Sequence, residues 1–340
     1  MNNNKWILIV VLIPFLLMGC VADDLSICGV NLRFAYTKNV DGIDKLATEI
    51  NKVNLYVFKL RDDKKGTPAD PTGNEYYFLL SDSIVGNPAQ VTYERQFRLE
   101  PGYYKFVVWG NLGNDYIRSV LKKDSTKIDD LAISLKYPSS NVIEHIPSDL
   151  YHGIETVKLS SADLSINKTV TVDMMKNTKH LIVKATGLAV NASDPTSVDD
   201  YKYSISSKNS AYTFANTVTG NVLLRYELPE AEVSLEEETL ISKFVIMREV
   251  KDGTRNSSIL HITRANTASG LPPLPDVDLL PLLIAYNQAK GNQDGQDMLD
   301  LRDTYELTLI YNETTGTVSF QIDDWNSVDV PATGGGGNSW

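Results

Sequence analysis

The chain has 340 residues, 42% of them apolar and 22% charged, a balance that suits a globular protein with room for two medium-sized domains. A formal net charge of -11 excludes sequence-independent nucleic-acid binding, which needs a basic face to displace counterions, and excludes electrostatic attraction to anionic lipid. Two cysteines supply no disulfide framework, so stability has to come from core packing.

The first element is a leader. Lys5 precedes an apolar run over residues 6–18, which closes in Gly19-Cys20, and the acidic pair Asp23-Asp24 follows. A positive start, a short hydrophobic stretch and a small residue before a cysteine are the layout of a bacterial lipoprotein signal peptide. The run is too short to span a bilayer. Residues 1–19 are therefore read as signal peptide, Cys20 as the lipid attachment site and 20–28 as a lipidated linker. Each buried methylene contributes about 0.8 kcal/mol, so two or three acyl chains hold a protein to a membrane where one does not. The bland alternative is an ordinary secretory signal with a chance cysteine at its end. Cys28 is left alone and reads as a small buried residue.

Beyond residue 28, strand follows strand. Residues 31–36 place Leu32, Phe34 and Tyr36 on one face, and 53–60 is apolar almost throughout, as in a strand covered on both faces. Residues 76–80 and 91–99 continue the pattern. Glu100-Pro101-Gly102 supplies a tight turn, with Pro presetting φ and Gly accommodating positive φ, so 91–109 is expected to be a hairpin. Short helices are expected in 41–51, with Ile43, Leu46 and Ile50 on one face, and in 119–123 or 129–135. Strands at 151–159, 169–174 and 179–186 complete enough sheet for a closed sandwich, which sets a boundary between Met175 and Lys179.

The second half repeats the texture at 201–206, 243–250, 259–263, 305–311 and 317–322. The acidic run 230–238 reads as a solvated loop or helix face. Residues 266–303 break the pattern with Pro272-Pro273, Pro275 and Pro281, leaving a short helix at 279–289. The fold class expected is mainly β, with few short helices: one sandwich over 29–176, a second over 177–325, and a flexible tail over 326–340 that contains Gly334 to Gly337.

Signals for chemistry are weak. The four histidines, His145, His152, His180 and His261, have no metal-ligand spacing, and Cys28 has no partner for zinc. Asp323 and Asp324 are neighbours whose side chains point to opposite faces of a strand, so they would not flank one bond as acid and base. The 17 tyrosines follow β propensity along the strands. No metal, cofactor, small-molecule substrate or catalytic residue is expected, and the chain does not read as an enzyme.

A set of motifs carries a resemblance. Cys20-x-x-Asp23-Asp24-Leu25-x-x-Cys28, Leu32-x-Phe34-x-Tyr36 and Val53-x-Leu55-Tyr56-Val57-Phe58 stand in order at the start. Leu99-x-Pro101-Gly102-Tyr103-Tyr104, Trp109-Gly110-Asn111 and Tyr151-His152-Gly153 before Val170-Thr171-Val172 follow. Late in the chain, Gln296-Asp297-Met298-Leu299-Asp300-Leu301-Arg302-Asp303-Thr304-Tyr305 closes the series, with Leu301 separating an Asp and an Arg expected to be adjacent. The chain so resembles the FimB/Mfa2-type fimbrial anchor lipoproteins of Bacteroidales over nearly its whole mature length.

That resemblance implies two transthyretin-like sandwiches, an outer-membrane location at the cell surface through fatty acylation of Cys20, and fimbrial stalk subunits as partners. Asp23-Asp24 resembles the acidic export signal of such lipoproteins, although an acidic pair also suits a plain solvated linker. Attachment by β-strand complementation follows from the same resemblance, in which main-chain hydrogen bonds complete a sheet edge and alternate side chains fill pockets. The first strand, 32–36, would be kept, and a segment between Thr304 and the C-terminus would be donated, with Trp325, Val328, Val330 and Trp340 as apolar anchors. The competing expectation is a native hairpin over 305–325 with an idle tail. A surface glycan-binding lipoprotein of a nutrient-uptake system is the rival function, and it predicts exposed aromatic platforms. A lipid-anchored hydrolase ranks third.

Overall fold

The computed structural model describes residues 29–61, 75–86, 94–165, 167–190, 195–227, 233–236, 238–251, 258–265, 271–291, 295–322 and 326–329. Before residue 177 the strands are β1 (Val30–Lys38), β2 (Lys52–Leu60), β3 (Tyr76–Val85), β4 (Glu94–Phe97), β5 (Gly102–Gly110), β6 (Tyr116–Arg118), β7 (Ala132–Leu135), β8 (Val142–Ile143), β9 (Tyr151–Leu159) and β10 (Lys168–Lys176). Two short helices, α1 (Leu46–Glu49) and α2 (Ser161–Ser165), interrupt them. After it come β11 (Thr178–Thr186), β12 (Tyr201–Ser207), β13 (Ala211–Thr213), β14 (Val218–Thr219), β15 (Leu224–Glu227), β16 (Val233–Glu236), β17 (Thr239–Met247), β18 (Ile259–Arg264), β19 (Val277–Asp278), β20 (Thr304–Asn312), β21 (Thr317–Ile322) and β22 (Asn326–Asp329). The helices α3 (Leu279–Ala289) and α4 (Gln296–Leu301) lie between β19 and β20. The chain is mainly β, as its alternating patterns require.

A seven-stranded sheet runs β3-β2-β5-β9-β10-β1-β4. Only two residue pairs join β9 to β10, Met175 opposite His152 and Lys176 opposite Tyr151, and the sheet folds over at that corner. One layer, β3-β2-β5-β9, then faces the other, β10-β1-β4. Val53, Leu55, Val57, Phe106 and Val108 share a core with Val30, Leu32, Phe34, Val170 and Val172. Gly153 allows the layers to close, because a Cβ there would sit 2.8 Å from Val172 Cγ1 and 2.9 Å from Met174 Cγ. On the open side, Arg95 on β4 reaches Asp82 on β3 at 2.5 Å.

The other faces of β2 and β5, with Tyr56, Phe58, Val107 and Trp109, enter a second core. The near-continuous apolar run of 53–60 is explained by this double cover. Over that face lies a four-stranded sheet, β14-β13-β7-β6, which takes two strands from each side of residue 177. The same core continues into a six-stranded sheet, β16-β17-β11-β20-β21-β22, and a five-stranded sheet, β19-β18-β12-β15-β8. Here too β8 crosses over, pairing parallel with β15. The two halves share a topological device: β1 lies parallel to β10 and β11 lies parallel to β20, each with an antiparallel strand on its other edge.

Several expectations are revised. Residues 91–109 form no hairpin: β4 pairs with β1, and β5 pairs with β2 and β9. The Pro101 turn carries the chain between layers, where Phe97 stands opposite Val30, and Tyr104 donates back to the Glu100 carbonyl at 2.8 Å. Gly102 is not at positive φ. The helix of 41–51 shrinks to α1, since Leu46 and Ile50 are buried but Ile43 is exposed. Residues 119–123 are not helical; Val120 is 91% exposed, so no apolar stripe is available to bury. Residues 129–135 become a 3-10 turn followed by β7, whose Ile133 and Leu135 alternate inward. The acidic run 230–238 contains β16, paired with β17. The helix of 279–289 is α3, with Asp278 as N-cap accepting from the Leu280 amide.

Candidate attachment site

In a chain read as a tether, the first question is how its leading strand is held. Along β1, Val30, Leu32, Phe34 and Tyr36 alternate into the core, and the strand is flanked by β10 and β4. Its far end is fastened by side chains. Asp44 accepts from the Tyr36 amide at 2.9 Å, and Asp173 accepts from both the amide and hydroxyl of Thr37 at 2.9 and 2.6 Å. Asn39 donates to the carbonyls of Tyr36 and Ile43 at 3.0 and 2.8 Å. The Tyr36 ring meets Tyr151 edge-on at 5.0 Å, and its hydroxyl donates to Asp303 Oδ2 at 2.5 Å. Burial, and then the Asp303 carboxylate, push the Tyr36 phenol far above its ordinary value. The leading strand is thereby bonded to a residue 267 positions away, across both halves.

Around that bond lies a polar junction at the passage from β10 to β11. Lys176, 5% exposed, reaches Asp149 at 2.8 Å and Glu49 at 3.6 Å. Asp149 also accepts from Thr178 at 2.9 Å and meets His180 Nε2 at 2.7 Å. Burial by itself would raise the Asp149 carboxyl, but the His180 and Lys176 contacts outweigh it and bring it down to about 2. Deeper in, Asn177 is fully buried, and its carbonyl accepts from the Arg248 amide at 2.9 Å and from Tyr212 at 2.7 Å. Arg248 grips both oxygens of Asp300 at 3.0 Å. A hollow of about 410 Å³, lined by Glu49, Asp149, Lys176, His180 and Asp303 among others, opens over this cluster.

A second hollow, about 520 Å³, lies on the five-stranded sheet and is lined by Lys202, Ser204, Arg225, Glu227, His261 and Thr263 among others. Beside it, Ser206 Oγ meets His261 Nε2 at 2.8 Å, and His261 Nδ1 meets Asp276 at 2.6 Å. That chain has the order of a nucleophile, base and orienting acid. Ser206 lies in a strand paired on both sides, however, so its neighbouring amides belong to ladders and do not converge on an oxyanion. His152 is buried against Trp109 at 4.5 Å and bonds the Phe214 carbonyl at 2.9 Å. Among the described residues, no group of three or more His, Cys, Asp or Glu side chains is placed to hold a metal ion.

Of the residues singled out in the sequence, Cys20, Asp23, Asp24, Cys28, Asp323, Asp324, Trp325, Val330 and Trp340 lie outside the described residues. Val328 belongs to β22, opposite Phe320 on β21, at the edge of the six-stranded sheet. The candidate donor segment from Thr304 is corrected in part: β20 lies between β11 and β21 with Tyr305, Leu307, Leu309 and Tyr311 buried, so it is already built into its own sheet. The late motif does hold the junction, through Asp300 and Asp303, while Arg302 Nε donates to Asn287 at 2.6 Å. Lys179, Arg248 and the Tyr36–Asp303 bond escaped the sequence reading; a Lys and an Arg in otherwise apolar strand patterns were the available signal.

Comparison with solved structures defines the class. A protein from Bacteroides thetaiotaomicron described as a candidate polysaccharide-binding protein superposes with a TM-score of 0.72 at 20% identity, covering 89% of this chain and 98% of that one. A candidate adhesin from Bacteroides ovatus gives 0.69 at 19% identity, over 88% and 95%. The fimbrial anchor protein Mfa2 from Porphyromonas gingivalis gives 0.64 at 16% identity, over 89% and 99%. At these identities the likeness is one of fold. The particular family is given by the sequence: residues 25–331 match the fimbrillin-A associated anchor proteins Mfa1 and Mfa2, and the chain belongs to that family. Its role is accordingly structural, fimbria-associated and at the cell envelope. Comparison with curated protein sequences returned no match. Among the described residues no helix is long and apolar enough to cross a membrane.

Proposed function

We propose that this chain is an outer-membrane lipoprotein, acylated on Cys20 and exported to the cell surface under Asp23-Asp24, which fastens a fimbria by β-strand complementation with a stalk subunit. Its two halves, 29–176 and 177–325, act as transthyretin-like sandwiches joined by the polar junction. The role is mechanical and calls for no cofactor, metal or small-molecule substrate. The observation that carries the reading is the seating of β1. A strand buried between two neighbours, and bonded at its end to Asp303, delivers tension from a tether into both halves and not onto a peelable flap. Because β20 and β21 lie inside the six-stranded sheet while β22 is its edge strand, held along one side only by β21, donation falls to residues 326–340, with Trp325, Val328, Val330 and Trp340 as anchors beside and within them. A glycan-binding role has less support: Tyr103 is the single aromatic among the exposed large apolar side chains of the described residues.

The test has two arms. Cys20→Ala is expected to move the protein from the membrane to the soluble fraction and to abolish incorporation of labelled fatty acid. Unchanged membrane retention would overturn the tether. Deleting residues 326–340 is expected to release fimbriae into the medium, and undiminished retention removes the tail from the mechanism.

A further inference from the structure

We propose that Lys179 and Asp303 are a site of covalent self-modification, condensing into an intramolecular amide that ties β11 to the start of β20. The two residues are level on neighbouring strands: β11 and β20 are parallel, and His180 stands opposite Thr304. Lys179 is 1% exposed. Its Nζ donates to the Asp300 carbonyl at 2.6 Å and lies 3.9 Å from Asp303 Oδ1. That oxygen is buried and accepts no hydrogen bond from the described residues, while Oδ2 accepts from Tyr36 at 2.5 Å. As an ion pair this is a poor arrangement, because both charges are desolvated yet stand beyond hydrogen-bond distance. Transfer of one proton from the Lys179 ammonium to the Asp303 carboxylate turns the same pair into a neutral amine beside a neutral acid, a reactant pair held in place. Burial supports the amine form, lowering Lys179 to about 8 against the partial opposition of Asp303 and Asp300.

The step balances without any co-reactant. The Nζ lone pair attacks Asp303 Cγ, an N–C bond forms, and one C–O bond of the carboxylic acid breaks. That oxygen leaves as water, taking the acid proton and one proton from the nitrogen. Tyr36, donating to Oδ2, stabilises the negative oxygen of the tetrahedral intermediate. The product would lock two strands beside the point where Tyr36 links the leading strand to the second half. The inference stands on the geometry of the pair and is independent of acylation at Cys20.

Peptide mapping of the full chain tests it. Unlinked protein digested with trypsin yields a cut after Lys179 and a separate C-terminal peptide beginning at Asp303, since no Lys or Arg follows Arg302. Linked protein is expected to yield one branched species, residues 177–184 joined to 303–340 and uncut at Lys179, lighter than the two together by one water, about 18 Da. Lys179→Arg is expected to restore separate peptides. Recovery of all the wild-type material as separate peptides after prolonged incubation at pH 8 would overturn the proposal. So would a loss of water that maps to a single unbranched peptide.

Discussion

Arg248 and Glu249 are consecutive and buried, yet they follow opposite electrostatic logic. Arg248 is compensated: Asp300 takes Nη1 through both oxygens, and the Asn216 carbonyl accepts from Nη2 at 2.5 Å. Replacing it with Met leaves the Asp300 carboxylate without its cation, and urea unfolding should show a loss of about 3–5 kcal/mol. Among the described residues, no cation is paired with Glu249. Ser258 and Asn209 donate to it, but burial dominates and raises its carboxyl to about 7. In the unfolded chain the same group titrates at about 4.3. Between those two values the folded state therefore holds the extra proton, and stability falls as pH rises through that window. Glu249→Gln removes the charge and keeps the bonds that Ser258 Oγ and Asn209 donate to Oε1, giving up only the 3.4 Å bond from the Ser258 amide to Oε2, so its stability should be flat there and should exceed wild type above pH 7 by up to about 3 kcal/mol. Chemical denaturation at a series of pH values reads this directly.

Strand elements were the most legible part of the sequence, because alternation with a period of two depends on local residues alone. The patterns at 151–159 and 317–322 coincide with β9 and β21. What alternation does not carry is partnership: β4 and β5 look like a hairpin from Pro101-Gly102, and they belong to different layers. Short elements such as β6, β13 and β19 were also invisible, since two or three residues make no period. Gly187 gave no local signal either. It holds φ at +73°, and a Cβ there would lie 2.1 Å from the Tyr311 carbonyl oxygen, where β11 ends beside β20. Gly187→Ala is therefore expected to destabilise by at least about 2 kcal/mol, visible as a lowered Tm with the secondary-structure content unchanged at low temperature.

On the scale of the molecule, the halves are more entangled than a boundary between Met175 and Lys179 suggests. Each contributes strands to the four-stranded sheet, β8 pairs with β15, and one core runs from Phe58 and Trp109 to Leu307 and Phe320. Cooperative units follow shared cores, so calorimetry should record one unfolding transition in place of two. Residues 29–176 expressed alone would expose the Tyr56, Phe58 and Trp109 face and strand β7 without β13. Such a fragment is expected to bind hydrophobic dye and to show poor amide protection; a well-dispersed, protected spectrum would count against the coupling.

The sequence by itself determined the β character, most strand positions and the family, because these reside in periodicity, composition and ordered motifs. The tertiary structure alone decided which strands pair, where the cores join, and that Tyr36, Lys179 and Arg248 converge on Asp300 and Asp303. Those contacts bring together residues from 52 to 267 positions apart, and no local pattern encodes a distance that only the folded sheets create.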